Sequence, residues 1–309
     1  MKIVALVGGV GGAKLAHGLA QVLPPENLTV VVNTGDDFWH YGLRVCPDFD
    51  TVMYTLGGVV DPVNGWGVRG DTTAMLSALE RYGATPWFRL GDQDLATHLL
   101  RTEGLRRGER LTTIMQRLTR ALGIHSSILP MTDDEVSTIV DTIEYGKVGF
   151  QDYFVRHRWQ PRVRSLIYDG IERAAVTPEV TNAIACADAI MIGPSNPWLS
   201  IAPMLALPEL RAALLARDLP RVAISPIVGG KAIKGPAAKL MEELGYEVSA
   251  ANIAEFYREF INGFIYDQVD INDRHPDVEH LLTNTVMYTD TDRAELARQA
   301  LTWIESELL

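Results

Sequence analysis

The sequence predicts an α/β protein: a mostly parallel, Rossmann-like sheet with helices on both faces, plus a helix-rich cap or insert subdomain. Three observations carry that expectation. Short apolar, β-branched runs recur at Ile3–Val7, Leu28–Asn33, Ala189–Ile192 and Val222–Ser225, the pattern of strands buried on both faces. Segments with helical spacing separate them, as in parallel strands joined by helical crossovers. Each run also ends in glycine, small polar or acidic residues, where open α/β sheets bind their ligands.

The 309 residues are 47% hydrophobic and 22% charged, enough for one α/β domain over residues 1–309, with a helical and mixed insert at about 50–175. A net charge of −11 argues against nucleic acid as a partner. An acidic protein that binds phosphate needs local Lys and Arg, or a divalent metal. Cys46 and Cys186 stand in no metal or redox spacing, and two buried thiols in a reducing cytoplasm are expected. The N-terminal apolar run is too short for a signal peptide, and no stretch reaches the roughly 18 apolar residues of a membrane span. A cytoplasmic enzyme without a membrane partner is the expectation.

In chain order, Ile3–Val7 runs into Gly8-Gly9-Val10-Gly11-Gly12-Ala13-Lys14, which opens an amphipathic helix carrying Leu15, Leu19 and Val22. A strand that turns through glycines into a helix offers unpaired N–H groups and a positive dipole end to an anion. The spacing is neither a Rossmann fingerprint nor a Walker A loop, because Lys14 replaces the third glycine and Leu15 follows it. The second strand ends in Asn33-Thr34-Gly35-Asp36-Asp37, and Pro47-Asp48-Phe49-Asp50-Thr51 starts a helix through Leu56. Asp48 or Asp50 could be that helix's N-cap, but one cap does not explain four carboxylates within fifteen residues.

Glycine-rich Gly65–Gly70 leads to a helix from Asp71 to Gly83 with Leu76, Leu79 and Tyr82 on its apolar side; helices around His98 and over Thr112–Leu122 follow. Val136–Thr142 and Val163–Tyr168 alternate as strands, and the aromatic Phe150–His157 stretch between them reads as subdomain core. Thr177-Pro178 starts a helix with Thr as N-cap. Pro194-Ser195-Asn196-Pro197 precedes one helix rich in Leu and Ala to Ala216; Gly229-Gly230-Lys231 closes a later strand, and Asp292–Leu308 ends the chain as a helix.

Four strand-end loops therefore carry ligand chemistry: the glycine loop with Lys14, Asp36-Asp37, Ser195-Asn196 and Gly229-Gly230-Lys231. Asp36, Asp37, Asp48 and Asp50 beside a phosphate loop point to Mg²⁺ bridging protein oxygens and a diphosphate. No Cys/His cluster has zinc spacing, and a lone His40 or His98 is more often structural. No nucleophile motif is present, so direct displacement at phosphorus fits better than a covalent intermediate.

Gly8–Lys14, Asn33–Asp37, Leu43–Thr51, Leu90–His98, Pro194–Pro197 and Ser225–Gly229 together resemble the 2-phospho-L-lactate transferase family of coenzyme F420 biosynthesis, over residues 1 to 240. The resemblance implies transfer of a phospho-three-carbon acid from a guanosine-diphospho-linked donor to the deazaflavin alcohol Fo, with GMP released, Mg²⁺ on the diphosphate and a homodimer. It implies Asp50 and the position of Arg89 as contacts to Fo, and Gly9, Gly11, Gly12, Lys14, Ser195, Asn196 and Gly229 around the donor. Asp36, Asp37 and Asp48 are the metal candidates, and Asp50 and Asp37 the catalytic ones. The Phe150–Arg156 stretch is similar to the bacterial branch, which implies phosphoenolpyruvate as the acid. Two other readings compete: a non-catalytic nucleotide- or nucleotide-sugar-binding regulator, and a nicotinamide-dependent oxidoreductase with Asp36 on the ribose.

Overall fold

The computed structural model describes residues 1–309. Seven strands form the main sheet: β1 (Ile3–Val7), β2 (Leu28–Val32), β3 (Ser127–Pro130), β4 (Ala189–Ile192), β5 (Arg221–Ile224), β6 (Gly263–Asp267) and β7 (Glu279–Thr283). Their order is β7-β6-β5-β4-β1-β2-β3, and every neighbouring pair is parallel. The chain runs outward from β1 to β3, then returns to lay β4 against the other side of β1. That reversal makes the carboxyl ends of β1 and β4 the switch point of the sheet.

Alternation along β1 shows why the run is apolar throughout. Val4 and Leu6 enter one core, with the helices Pro178–Ala185, Pro208–Leu215 and Ala250–Tyr257. Ile3, Ala5 and Val7 enter the other, under α1 (Gly9–Val22), α2 (Pro47–Leu56) and the C-terminal helix Asp290–Trp303. Both faces are covered, so no position on the strand tolerates a polar side chain.

Three further helices follow α2: α3 (Ala74–Arg81), α4 (Asp94–Arg106) and α5 (Leu111–Ala121). Leu111, Ile114, Met115 and Leu118 put α5 on the core at helical spacing, and the chain then re-enters the main sheet at β3. The 50–175 stretch is therefore two excursions separated by a sheet strand that the sequence reading left unassigned; β3 is only four residues long and contains Pro130. Pro130 is tolerated because β3 is an edge strand. The second excursion is a three-stranded antiparallel sheet, Gly146–Gly149, Ser137–Thr142 and Val163–Asp169, packed on the core through fully buried Tyr153.

Four local expectations change. No residue of α3 is buried and Tyr82 is exposed, so its apolar side is not a core face. The Leu/Ala helix is broken at Pro208 into two helical segments bent by 84°. Cys46 is buried but Cys186 is exposed. The N-cap of α2 is Cys46, with Pro47 at N1, which places both Asp48 and Asp50 inside the first turn. Thr177 does cap its helix, accepting the Val180 N–H. No single helix is long and apolar enough to cross a membrane.

Candidate functional site

The glycine loop and the Ser195 loop meet at the switch point. Gly8 N–H donates to Ser195 Oγ at 3.0 Å. A Cβ on Gly11 would stand 2.3 Å from the Pro194 carbonyl oxygen, and one on Gly12 would stand 2.5 Å from Ser195 Oγ. Glycine is therefore required here by close approach of two loops. Gly8, the N-cap of α1, has no side chain to cap the helix and no acidic residue lies in the first turn; Ser195 takes the Gly8 N–H and Asp48, from another helix, takes that of Gly9. Asn196 Oδ1 is taken by the N–H groups of Trp198 and Leu199, leaving its buried Nδ2 without a partner.

The acidic residues collect beside this cradle. Asn33 organises them: its Nδ2 donates to Asp48 Oδ2 at 3.0 Å and lies 3.4 Å from Asp36 Oδ1, while its Oδ1 accepts the Gly35 N–H. Asp48 leans against the glycine loop itself, since a Cβ on Gly8 would come 2.3 Å from its Oδ2. Burial pushes Asp48 up to about 6, opposed by hydrogen bonds from Asn33, Ser200 and the Gly9 N–H. Asp36 is held well above the usual carboxylate range by burial, then by the Asp48 and Asp37 charges. Burial raises Asp37 to about 7, opposed first by Arg44 at 3.5 Å and then by the Cys46 thiol. Of the four aspartates, only Asp50 falls in a set of three ligand atoms within 4.8 Å of one another; Asp36, Asp37 and Asp48 are buried and repel one another without converging that far.

Two helices build the rest. On α4, Asp94, His98 and Arg101 share one face at i, i+4 and i+7; on α2, Asp50 and Tyr54 face them at i and i+4. Fully buried Arg101 pairs with Asp50 Oδ1, donates to the Arg44 carbonyl at 3.1 Å, and lies 3.2 Å from His98 Nδ1. Arginine donates only, so His98 Nδ1 is the acceptor in this contact, and its Nε2 lies 3.2 Å from Asp94 Oδ1. Tyr54 O–H donates to Asp94 at 2.6 Å. Asp50, Asp94 and His98 converge within 4.8 Å as a metal set would, but the guanidinium already lies against two of the three. Asp50 Oδ2 is left buried and unpartnered.

The structure thus gathers Gly9, Gly11, Gly12, Ser195, Asp36, Asp37, Asp48 and Asp50 near the carboxyl ends of β1 and β2, with the four aspartates buried. Lys14 stands on the far side of the cradle, its Nζ on the Met287 carbonyl at 2.6 Å. Arg89 is exposed and lines a small pocket of about 80 Å³ with Asp61, Trp66 and Asp94. Gly229 does not present a free amide: its N–H donates to both oxygens of Asp270, at 2.9 and 3.0 Å. Gly229 and Gly230, both at positive φ, form the tight turn of a two-residue hairpin, which explains the pair without a ligand. Sequence reasoning missed Asn33 as organiser and Arg101 as partner of Asp50. The i, i+4, i+7 stripe Asp94-His98-Arg101 was the signal for the latter.

With this geometry in place, comparison with known proteins is specific. A family model described as 2-phospho-L-lactate transferase CofD matches residues 3–309. The 2-phospho-L-lactate transferase of Methanosarcina mazei is 40% identical over 87% of this chain and 88% of its own. The phosphoenolpyruvate transferase of Streptomyces coelicolor is 41% identical over 99% and 98%, and that of Mycobacterium marinum 43% over 83% of each. A solved UPF0052-family protein from Bacillus halodurans shares the fold, with a TM-score of 0.66 over 97% of this chain and 98% of its own at 14% identity. The resemblance carried by the glycine, Asp36-Asp37 and Leu90–His98 motifs and the predicted α/β fold are both borne out.

Proposed function

We propose a reaction on one premise: the chain belongs to the 2-phospho-L-lactate transferase CofD family, transferases of coenzyme F420 biosynthesis. The donor is a guanosine-diphospho-linked three-carbon acid, phosphoenolpyruvate by preference, and the acceptor is the ribityl hydroxyl of Fo. That hydroxyl oxygen forms a bond to the phosphorus carrying the acid, the bridging P–O bond breaks, and GMP leaves with the electron pair. The single observation that supports this most is Asp48, which accepts from Gly9 in the phosphate cradle and from Asn33 in the acidic loop. That contact supports a reading in which the donor phosphate and the carboxylates act side by side.

Gly9, Gly11, Gly12, Lys14, Ser195 and Asn196 hold the donor, and Arg89 meets the acceptor. Asp36, Asp37 and Asp48 would hold Mg²⁺, which when bound neutralises the diphosphate. Asp50 takes the hydroxyl proton at Oδ2, the oxygen that Arg101 leaves free. Asp37 is the second catalytic carboxylate. A cytoplasmic homodimer completes the proposal and is tested by light scattering and fractionation.

The deciding experiment incubates the protein with Fo, Mg²⁺ and each guanosine-diphospho donor, phosphoenolpyruvyl and phospholactyl, and follows GMP and the deazaflavin by mass. Product of the expected mass from the phosphoenolpyruvyl donor supports the proposal. Product only with phospholactyl corrects the donor. GMP-free incubations with guanine-nucleotide binding intact would favour a non-catalytic binding protein.

A further inference from the structure

Two ammonium groups stand beside the glycine loop on backbone carbonyls rather than on carboxylates. Lys14 Nζ donates to Met287 O at 2.6 Å, and Lys234 Nζ donates to Asn64 O. They are close enough that Lys234 and Arg293, after burial, help to depress the Lys14 pKa. In a chain of net charge −11 this local concentration of cations is unusual, and neutral carbonyls are weak partners for it. A phosphate oxygen makes a charge-assisted bond roughly twice as strong as one between neutral groups.

Asn64 belongs to a hairpin, Asp61–Gly70, closed by the Val60–Val68 bridge and by Asp61 N–H on the Gly67 carbonyl. Its tip rests on the phosphate cradle: a Cβ on Gly65 would stand 2.9 Å from Val10 Cγ1 and 3.6 Å from Lys234 Nζ. The same hairpin walls the small pocket that holds Arg89 and Asp94. One exposed lysine, delivered by the loop after β5, therefore touches the cover of the site next to the helix that receives the donor.

We infer that Lys234 and Lys14 clamp the diphosphate of the donor, and that Lys234, in moving from the Asn64 carbonyl to phosphate, unlatches the Asp61–Gly70 hairpin. The inference deepens the donor reading given above and rests on it. It makes donor binding the event that opens the cover for the acceptor, so donor binds before acceptor.

The test is calorimetric titration of inorganic pyrophosphate and of GDP, in magnesium buffer, into the wild type, Lys234→Met, Lys234→Arg and Lys14→Met. Amide hydrogen exchange of residues 59–70 is measured in parallel. Lys234 is exposed, so its variants fold. Pyrophosphate affinity should fall at least tenfold in Lys234→Met and recover in part in Lys234→Arg. Hairpin exchange should rise on pyrophosphate binding in the wild type and be fast without ligand in Lys234→Met. Unchanged affinity in Lys234→Met, or no binding of either ligand to the wild type, overturns the clamp. Unchanged hairpin exchange overturns the latch. Binding of pyrophosphate but not GDP leaves the clamp standing and removes the guanosine donor instead.

Discussion

Replacing Arg101 by Met tests the central ion pair of the site. The guanidinium is fully buried and bonded three ways: to Asp50 Oδ1, to the Arg44 carbonyl and to His98 Nδ1. Methionine fills most of the space but leaves the Asp50 carboxylate charged, buried and unpaired. Removing one partner of a buried pair costs about 3–5 kcal/mol, against a total stability of about 5–15 kcal/mol. At roughly 2 °C per kcal/mol for a chain of this size, the melting temperature should drop by about 6–10 °C. Much of that loss is the stranded charge, so Asp50→Asn in the same chain should return more than half of it. A residual deficit of about 1–2 kcal/mol should remain, because the bonds to Arg44 and His98 are still missing.

The assay is thermal and urea unfolding of the wild type, both single variants and the double variant, with transfer activity alongside. With Asp50 as the proposed base, the double variant should be folded and inactive, which would separate that role from its part in stability. An Arg101→Met protein melting within about 1 °C of wild type would refute the reasoning, and so would a double variant no more stable than Arg101→Met.

Three other outcomes follow from the same geometry. Gly11→Ala puts a methyl 2.3 Å from the Pro194 carbonyl oxygen, so it should destabilise by about 1–3 kcal/mol and abolish transfer, read by unfolding and product mass. Asp48, raised by burial to about 6 from 3.8, binds its proton more tightly folded than unfolded, so its penalty is absent below pH 4 and complete above pH 6. Asp48→Asn should therefore match wild type in melting temperature near pH 4 and exceed it at pH 8 without Mg²⁺; added Mg²⁺ should stabilise the wild type more. Asp92, which accepts the Ala74 and Met75 N–H groups and the Thr72 hydroxyl, caps exposed α3, so Asp92→Ala should speed hydrogen exchange across 74–81 while leaving the global melt nearly unmoved.

The fold was legible where burial imposes a pattern on consecutive residues. β1, β2, β4 and β5 are buried on both faces and read directly as apolar runs. β3 escaped because an edge strand of four residues with a proline carries almost no periodicity. The glycine loop was legible because close backbone approach admits one residue type. Arg101 was not singled out, because a buried arginine has the same letter as an exposed one, and only the fold shows that α2 presents Asp50 to it. Gly229-Gly230 is ambiguous for the converse reason: glycine pairs mark tight turns as readily as phosphate sites, and here Asp270 accepts the Gly229 amide.

Sheet topology explains how a chain of net charge −11 could hold a polyanion. The order β7-β6-β5-β4-β1-β2-β3 sends the loops after β2 to one side of the switch point and those after β5 and β7 to the other. Asp36 and Asp37 come from the first side, joined by Asp48 and Asp50 on α2; Lys234 and the Met287 carbonyl that seats Lys14 come from the second. The glycine cradle at the end of β1 lies between them. A diphosphate on that cradle would meet ammonium groups toward β5 and β7 and, toward β2, carboxylates that repel it until a cation intervenes. On this reasoning the donor without metal should bind chiefly through Lys14 and Lys234, and Mg²⁺ should raise its affinity less in Asp48→Asn than in the wild type. Equal gains in the two proteins, measured by calorimetry with GDP, would place the metal elsewhere.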